Sequence, residues 1–356
     1  MSLVMGIVGL PNVGKSSLFN ALTKGDALVE NRPFATIDPN LGVVKLPDSR
    51  VDRLAEIIKP QKTTHSVVKF LDIAGLVKGA SKGEGLGNKF LENIRGVDAI
   101  CLVVRAFNNK DVFSVVESDT ADPVFEAQIV LCELIYSDLE MVENILRKLK
   151  SNDPRVELLN RLKNHLSENK LVLNFELTDK EKELLKIYSF LTDKPMIVLA
   201  NTDDSSESVD LLKDIEVYSK ELNASFLDMN IKLENEISFL SEEEQIEFLS
   251  SVGRTETCLN KLISLAFKKL GLSTFFTAGV KEVRSWTFRN GSNAAECAGL
   301  IHTDIERGFI KAKVAKYEDF LEFSDFKTLK QVGKLSLEGR NYLMQDGDVV
   351  LFEFNV

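Results

Sequence analysis

One stretch near the start of the chain restricts its fold more than any other: Gly9-Leu10-Pro11-Asn12-Val13-Gly14-Lys15-Ser16-Ser17. It fits the pattern G-x-x-x-x-G-K-[ST]. The apolar run Leu3-Val4-Met5-Gly6-Ile7-Val8 precedes it and Ser17-Leu18-Phe19-Asn20-Ala21-Leu22 follows. The spacing predicts a buried strand, a tight loop and a helix. In that order, backbone N–H groups and the positive helix end converge on phosphate oxygens. Asn12, Val13, Gly14 and Ser17 would supply loop contacts. Lys15 would neutralise β- and γ-phosphates, and the Ser16 hydroxyl would sit on Mg²⁺. The alternative is an ordinary strand-to-helix turn with a chance Gly-Lys-Ser, and residues further along decide between the two.

The chain has 356 residues, long for one core, so two or three domains are expected. A net charge of -10 favours solubility and argues against a protein coated in nucleic acid, although a local basic patch can survive within it. No apolar stretch is long enough to span a bilayer, and the chain enters a strand at once, leaving no room for a signal peptide. A cytoplasmic protein without membrane contact is expected. Cys101, Cys132, Cys258 and Cys297 are scattered, as are His65, His165 and His302. Free thiols in a reducing compartment are the simplest reading, and a His/Cys zinc site is not expected.

Downstream come further phosphate-site signals. The segment Asn31-Arg32-Pro33-Phe34-Ala35-Thr36-Ile37-Asp38-Pro39 is a loop, since two prolines exclude a regular helix. On position alone Thr36 is either a Mg²⁺ ligand or a turn threonine. Ser66-Val67-Val68-Lys69-Phe70-Leu71 reads as a strand ending in Asp72-Ile73-Ala74-Gly75. This D-x-x-G offers a carboxylate for a Mg²⁺-bound water and a glycine N–H for the γ-phosphate. The glycine-rich residues from Leu76 to Gly87 suit a loop that reorders with nucleotide state. Leu76 stands where Ras-like proteins carry the glutamine that orients water, so intrinsic hydrolysis is expected to be slow. A last apolar strand, Met196-Ile197-Val198-Leu199-Ala200, delivers Asn201-Thr202-Asp203-Asp204. A base-recognition N-K-x-D would sit there, with Thr202 replacing the lysine. Asn230, after Ser225-Phe226-Leu227-Asp228-Met229, is a further candidate base contact.

Between these strands the period changes to helical, from Ala127 through Leu149. Asp153-Pro154 predicts an N-cap and a first-turn proline, opening a second helix through Leu166. Thr178-Asp179-Lys180-Glu181 has capping-box spacing before a third helix containing Leu184, Leu185 and Tyr188. The result is an antiparallel helical insertion, either a coiled coil or a plain layer. From Thr274 a mixed α+β unit follows. In it Lys281, Arg284, Arg289, Arg307, Lys311, Lys313 and Lys316 either form a basic face or are merely solvated.

The ordered set Gly9 to Ser16, Asn31-x-Pro33-Phe34-x-Thr36, Asp72-Ile73-Ala74-Gly75-Leu76-Val77-x-Gly79-Ala80 and Gly85-Leu86-Gly87 resembles the Obg-related P-loop proteins. Phe276-Thr277-Ala278-Gly279-Val280-Lys281-Glu282-Val283-Arg284 and His302-Thr303-Asp304 narrow the resemblance to the YchF family of ribosome-binding ATPases, over essentially the whole chain. The resemblance implies an α/β P-loop NTPase sheet with helices on both faces, an inserted antiparallel coiled-coil domain and a C-terminal TGS-like β-grasp domain. The expected boundaries are 1–125 and 191–273 for the nucleotide domain, 126–190 for the insertion and 274–356 for the C-terminal domain. It also implies Mg²⁺ on Ser16 and Thr36, ATP in preference to GTP, and association of a monomer with the ribosome. The large subunit, through rRNA or ribosomal protein, is the expected partner. The chain departs from the family at two places. Asp204 stands where N-x-x-E is usual, and an aspartate there is what guanine-specific proteins use, while Thr202 removes a lysine that supports a guanine site. Ser114 stands where relatives often carry a histidine implicated in hydrolysis.

The expected function is a Mg²⁺-dependent, slowly hydrolysing ATPase switch linked to translation or stress. Lys15, Asp72 and Gly75 would act on phosphate, with Asn201, Thr202, Asp204 and Asn230 at the base. A GTP-specific switch using Asp204 and a nucleotide-gated binding module with negligible hydrolysis are the alternatives. A metabolic kinase is disfavoured because no second-substrate site is evident.

Overall fold

The structure, a computed structural model, describes residues 3–24, 40–73, 86–108, 120–205 and 208–355. In chain order its first strands and helices are β1 (Val4–Val8), α1 (Lys15–Lys24), β2 (Leu41–Lys45), α2 (Ser49–Ile58), β3 (Lys62–Thr64), β4 (Val67–Asp72), α3 (Leu86–Arg95) and β5 (Ala99–Arg105). Then come α4 (Pro123–Lys148), α5 (Arg155–Ser167), α6 (Asp179–Leu185), β6 (Met196–Asn201), α7 (Ser208–Glu221), β7 (Ser225–Met229), α8 (Ile231–Ile237), α9 (Glu242–Ser251) and α10 (Cys258–Lys269). The C-terminal part adds β8 (Leu272–Ala278), β9 (Glu282–Arg289), α11 (Ala294–Ile301), α12 (Thr303–Arg307), β10 (Phe309–Ala315), α13 (Tyr317–Phe323), α14 (Phe326–Gln331), β11 (Ser336–Glu338) and β12 (Val349–Phe354).

Two compact units result, one of residues 1–44 with 69–262 and the other of 45–68 with 263–356. The first carries a sheet ordered β2-β4-β1-β5-β6-β7. Strand β1 runs parallel to both β4 and β5, and β5, β6 and β7 continue parallel. The chain moves outward from β1 to β4 on one side and then to β5 on the other. Right-handed crossovers therefore put α1 and α3 on opposite faces. Strands β5 and β6 are buried at every residue, which is why they read as unbroken apolar runs.

The helical insertion forms largely where its periodicity places it. Asp122 caps α4, accepting from Phe125 N at 2.9 Å, and Pro123 occupies the first turn. Helix α5 begins at Arg155, one residue beyond the expected start. Pro154 takes the N-cap position, and Asp153 still accepts Arg155 N–H at 2.9 Å. The Thr178–Glu181 capping box is present at α6. That helix ends at Leu185, so Tyr188 lies outside it and accepts a hydrogen bond from Arg155 at 2.9 Å instead. Asp138, fully buried on α4, accepts from Leu191 N, Thr192 N and the Thr192 hydroxyl at 2.8–2.9 Å, tying α4 to the entry of β6.

The second unit has a sheet ordered β11-β10-β12-β8-β9-β3. Adjacent residues of β8 supply opposite cores, as a strand's period of two requires. Phe275 packs with Phe288, Ala295, Cys297 and Phe352, and Phe276 with Val51, Leu54, Val283 and Phe320. Helix α2 and strand β3 thus belong to this unit, whereas the sequence reading kept 45–68 with the nucleotide domain. Of the seven cationic residues that read as either a basic face or solvated side chains, several are engaged within the unit. Lys311 and Lys313 pair with Glu353, Lys316 pairs with buried Asp348, and Arg284 lies 3.9 Å over the Trp286 ring.

Candidate functional site

The strand order of the first sheet reverses at β1, and a crevice at the carboxyl ends of the strands around such a point is where open α/β sheets bind ligands. The loop of residues 9–14 leaves β1 there. Asn12 adopts φ 64° and Gly14 φ 106°. A Cβ on Gly14 would stand 2.6 Å from Asn201 Nδ2, and one on Gly9 would stand 2.4 Å from the Val103 carbonyl oxygen. Both glycines are dictated by close approach, and Gly14 also by its backbone angle.

Lys15 opens α1, is 7% exposed, and donates from Nζ to the Leu10 carbonyl at 2.6 Å. Burial pulls its ammonium down to about 8, against the upward pull of the Asp72 and Glu126 charges. Ser16 donates from Oγ to Asp72 Oδ2 at 3.1 Å, and the Asp72 charge also acts on Lys15, so the structure brings the three together. Asp72 Oδ1 is buried without a hydrogen-bond partner among the described residues. A hydroxyl and a carboxylate with an orphaned oxygen are hard donors, and the pair fits a Mg²⁺ ion with bound water. Thr36, Gly75, Leu76 and Ser114 lie outside the described residues.

At the ends of β6 and β7 Asn201 is 7% exposed. It donates from Nδ2 to the Val13 carbonyl at 3.0 Å and accepts from Ile231 N at 3.3 Å, so it braces the loop against α8. Asn230 caps α8 through Leu233 N and donates from Nδ2 to Asp204 Oδ1 at 3.2 Å. Asp204 itself is exposed. The Thr202 backbone N–H is held by the Met229 carbonyl at 2.9 Å. Asn201, Asp204 and Asn230 are therefore brought together, with Asn201 linking them to the phosphate loop.

Two charged residues at the site were missed. Arg105 ends β5 and is buried, and Glu126 of α4 is 4% exposed. Glu126 accepts Arg105 N–H at 2.8 Å and its other oxygen lies 3.6 Å from Arg105 Nε. Burial raises the Glu126 carboxyl, while Arg105 and Lys15 pull it back. A signal was available, because an arginine closing a wholly apolar strand needs a buried partner.

With this geometry in view, comparison with known proteins places the chain. Residues 4–202 match the family model described as "50S ribosome-binding GTPase". Residues 272–355 match the YchF GTPase C-terminal model, described as "Protein of unknown function (DUF933)". A relative from Bacillus subtilis (strain 168), named "Ribosome-binding ATPase YchF", is 46% identical with 100% of both chains covered. One of the same name from Haemophilus influenzae is 44% identical, again over 100% of both. The solved structure of the Schizosaccharomyces pombe YchF GTPase superposes with a TM-score of 0.85 at 34% identity, covering 99% of this chain and 98% of that one. With its phosphate loop, its Ser16–Asp72 pair and its C-terminal mixed sheet, the chain belongs to the YchF family of P-loop proteins.

Proposed function

We propose that this chain is a Mg²⁺-dependent, slowly hydrolysing ATPase that works as a monomeric cytoplasmic switch on the ribosome, at its large subunit. The observation that carries the reading is the meeting of buried Lys15 with Ser16 and Asp72 at the carboxyl ends of β1 and β4. The names of its relatives, ribosome-binding ATPases in both bacteria, support the partner and the preference for ATP. Residues 1–44 with 69–125 and 191–262 act as the nucleotide domain, 126–190 as a helical arm, and 45–68 with 263–356 as a TGS-like domain.

Backbone N–H groups from Asn12 to Ser17 cradle the phosphates, and Lys15 leaves the Leu10 carbonyl for the β- and γ-phosphates. Ser16 and Thr36 hold Mg²⁺, which when bound offsets phosphate negative charge. Asp72 would hold a water of that ion, and the Gly75 N–H would meet the γ-phosphate. Asn201, Thr202, Asp204 and Asn230 line the base. Leu76 offers no group to orient water and Ser114 replaces the histidine that relatives often carry, so turnover is slow until a partner supplies a group. Glu126 keeps a negative charge near Lys15, which favours its ammonium form.

A GTP-selective reading has one specific observation in its favour, the exposed Asp204 carboxylate oriented by Asn230 at 3.2 Å. Equilibrium titrations with ATP and GTP in Mg²⁺, repeated with Asp204→Glu, test it. ATP preference by about tenfold or more supports the main reading. GTP preference that the substitution reverses makes Asp204 the determinant. Single-turnover hydrolysis with and without large ribosomal subunits tests the switch, and an unstimulated rate would leave a nucleotide-gated binding module.

A further inference from the structure

Helix α7 packs along the N-terminal half of α4, and between them runs an open groove of about 740 Å³. Its floor and walls include Leu211 and Tyr218. Phe125 is 44% exposed and Val217 57% exposed. Single exposed apolar residues are ordinary on protein surfaces, but several converging on one concavity mark an interaction site. The charged side chains lining it are all acidic: Asp122, Asp214 and Glu221. The lysines of α7 hydrogen-bond carboxylates outside the lining, Lys213 at Asp210 (2.9 Å) and Lys220 at Glu216 (2.7 Å), although the Lys213 charge also reaches Asp214. Asp214 and Glu221 form no salt bridge among the described residues.

An acidic apolar groove repels a phosphate backbone and attracts cationic chain that can also bury a bulky side chain. We propose that the α4–α7 groove docks a lysine- or arginine-rich polypeptide segment bearing at least one large apolar residue, contributed by a ribosomal protein and not by ribosomal RNA. The source of the segment rests on the ribosome association proposed above, while its chemistry rests on the groove alone. The docking point has a consequence for the nucleotide site. Phe125 faces out, and the next residue, Glu126, turns inward to Arg105. An occupant therefore bears on the helical turn that carries a charge toward Lys15.

Two arms test the proposal. In the first, a labelled synthetic amphipathic lysine–leucine peptide is titrated into the full chain, with a glutamate–leucine peptide of the same pattern as control. The basic peptide binds and the acidic one does not. Phe125→Ala with Val217→Ala, and separately Asp214→Lys with Glu221→Lys, each weaken binding by about tenfold or more while ATP affinity and melting temperature hold. No binding by the unaltered chain, or binding by both double variants as tight as that of the unaltered chain, overturns the proposal. In the second arm, Val217→p-benzoylphenylalanine is photolysed on purified large ribosomal subunits. A protease-sensitive, ribonuclease-resistant adduct supports the proposal. An adduct to RNA only, or none from subunit-bound protein, overturns it. If the chain does not sediment with subunits, the ribosome association falls, and the peptide titration decides the groove by itself.

Discussion

Lys15 shows how one side chain sets both affinity and its pH range. Its ammonium titrates near 8 instead of 10.5, because burial outweighs the attraction of Asp72 and Glu126. Only the charged form attracts phosphate, so nucleotide affinity falls as pH rises through about 8. At the limit the loss is about tenfold per unit. The folded value lies below the unfolded one, so between 8 and 10.5 the unfolded chain binds the proton more tightly. Stability in that window therefore rises with pH while affinity falls, and melting curves and ATP titrations from pH 7 to 9.5 separate the two. Affinity that stays flat to pH 9.5 would remove Lys15 from the phosphate site. Lys15→Ala loses about two orders of magnitude in affinity at neutral pH, the scale of a charge-assisted hydrogen bond. Gly14→Ala acts differently. With φ 106° and Asn201 Nδ2 at 2.6 Å from the new Cβ, it destabilises the nucleotide domain by about 2 kcal/mol or more. Calorimetry checks this through a transition lowered by several degrees.

Among the elements, the first turn of α4 joins the helical insertion to the phosphate loop. Glu126→Gln keeps an acceptor for Arg105 N–H, now 2.8 Å away, and deletes the negative charge near Lys15. The Lys15 ammonium then titrates below about 8, and the pH midpoint of ATP binding moves down with little change in melting temperature. An unmoved midpoint would show that Asp72 alone sets the charge. Much at this scale is legible in the sequence. Strand β6 is read to within one residue and the Thr178–Glu181 capping box to the residue, because burial on both faces and cap chemistry leave local marks. Glu126 is not legible, since within a helix a charge turned toward a core and a charge turned toward water have the same periodic signature. Asn201 is legible only in part. Its position at the end of β6 marks it for the base, but its bonds to Val13 and Ile231 depend on tertiary approach.

Across the whole molecule, the division of the chain is the part that pattern reading does not reach. Helix α2 reads as an ordinary amphipathic helix that any apolar face would accept, and β3 is three polar residues, Lys62-Thr63-Thr64, with no alternation. Only the structure shows Val51 and Leu54, both fully buried, packed with Phe276, Val283 and Phe320. Arg50 adds ion pairs at 2.8 Å to Asp48 and Asp346 and a hydrogen bond to Thr274 at 2.9 Å. Strand β3 pairs in parallel with β9. Burial of two such aliphatic side chains contributes about 3–6 kcal/mol, comparable to the whole stability of a small domain. Residues 263–356 expressed alone therefore lack a decisive part of one core face. They are expected to give dispersed secondary structure without a cooperative melt, and to bind a dye for exposed apolar surface. Joining 45–68 to the same fragment through a flexible linker restores a cooperative transition, and Leu54→Ala in that fusion lowers it by about 2–5 kcal/mol. A cooperative melt of 263–356 by itself would mean that α2 merely rests on a finished fold. Its absence, with recovery in the fusion, makes the C-terminal unit a domain built from two separate stretches of chain.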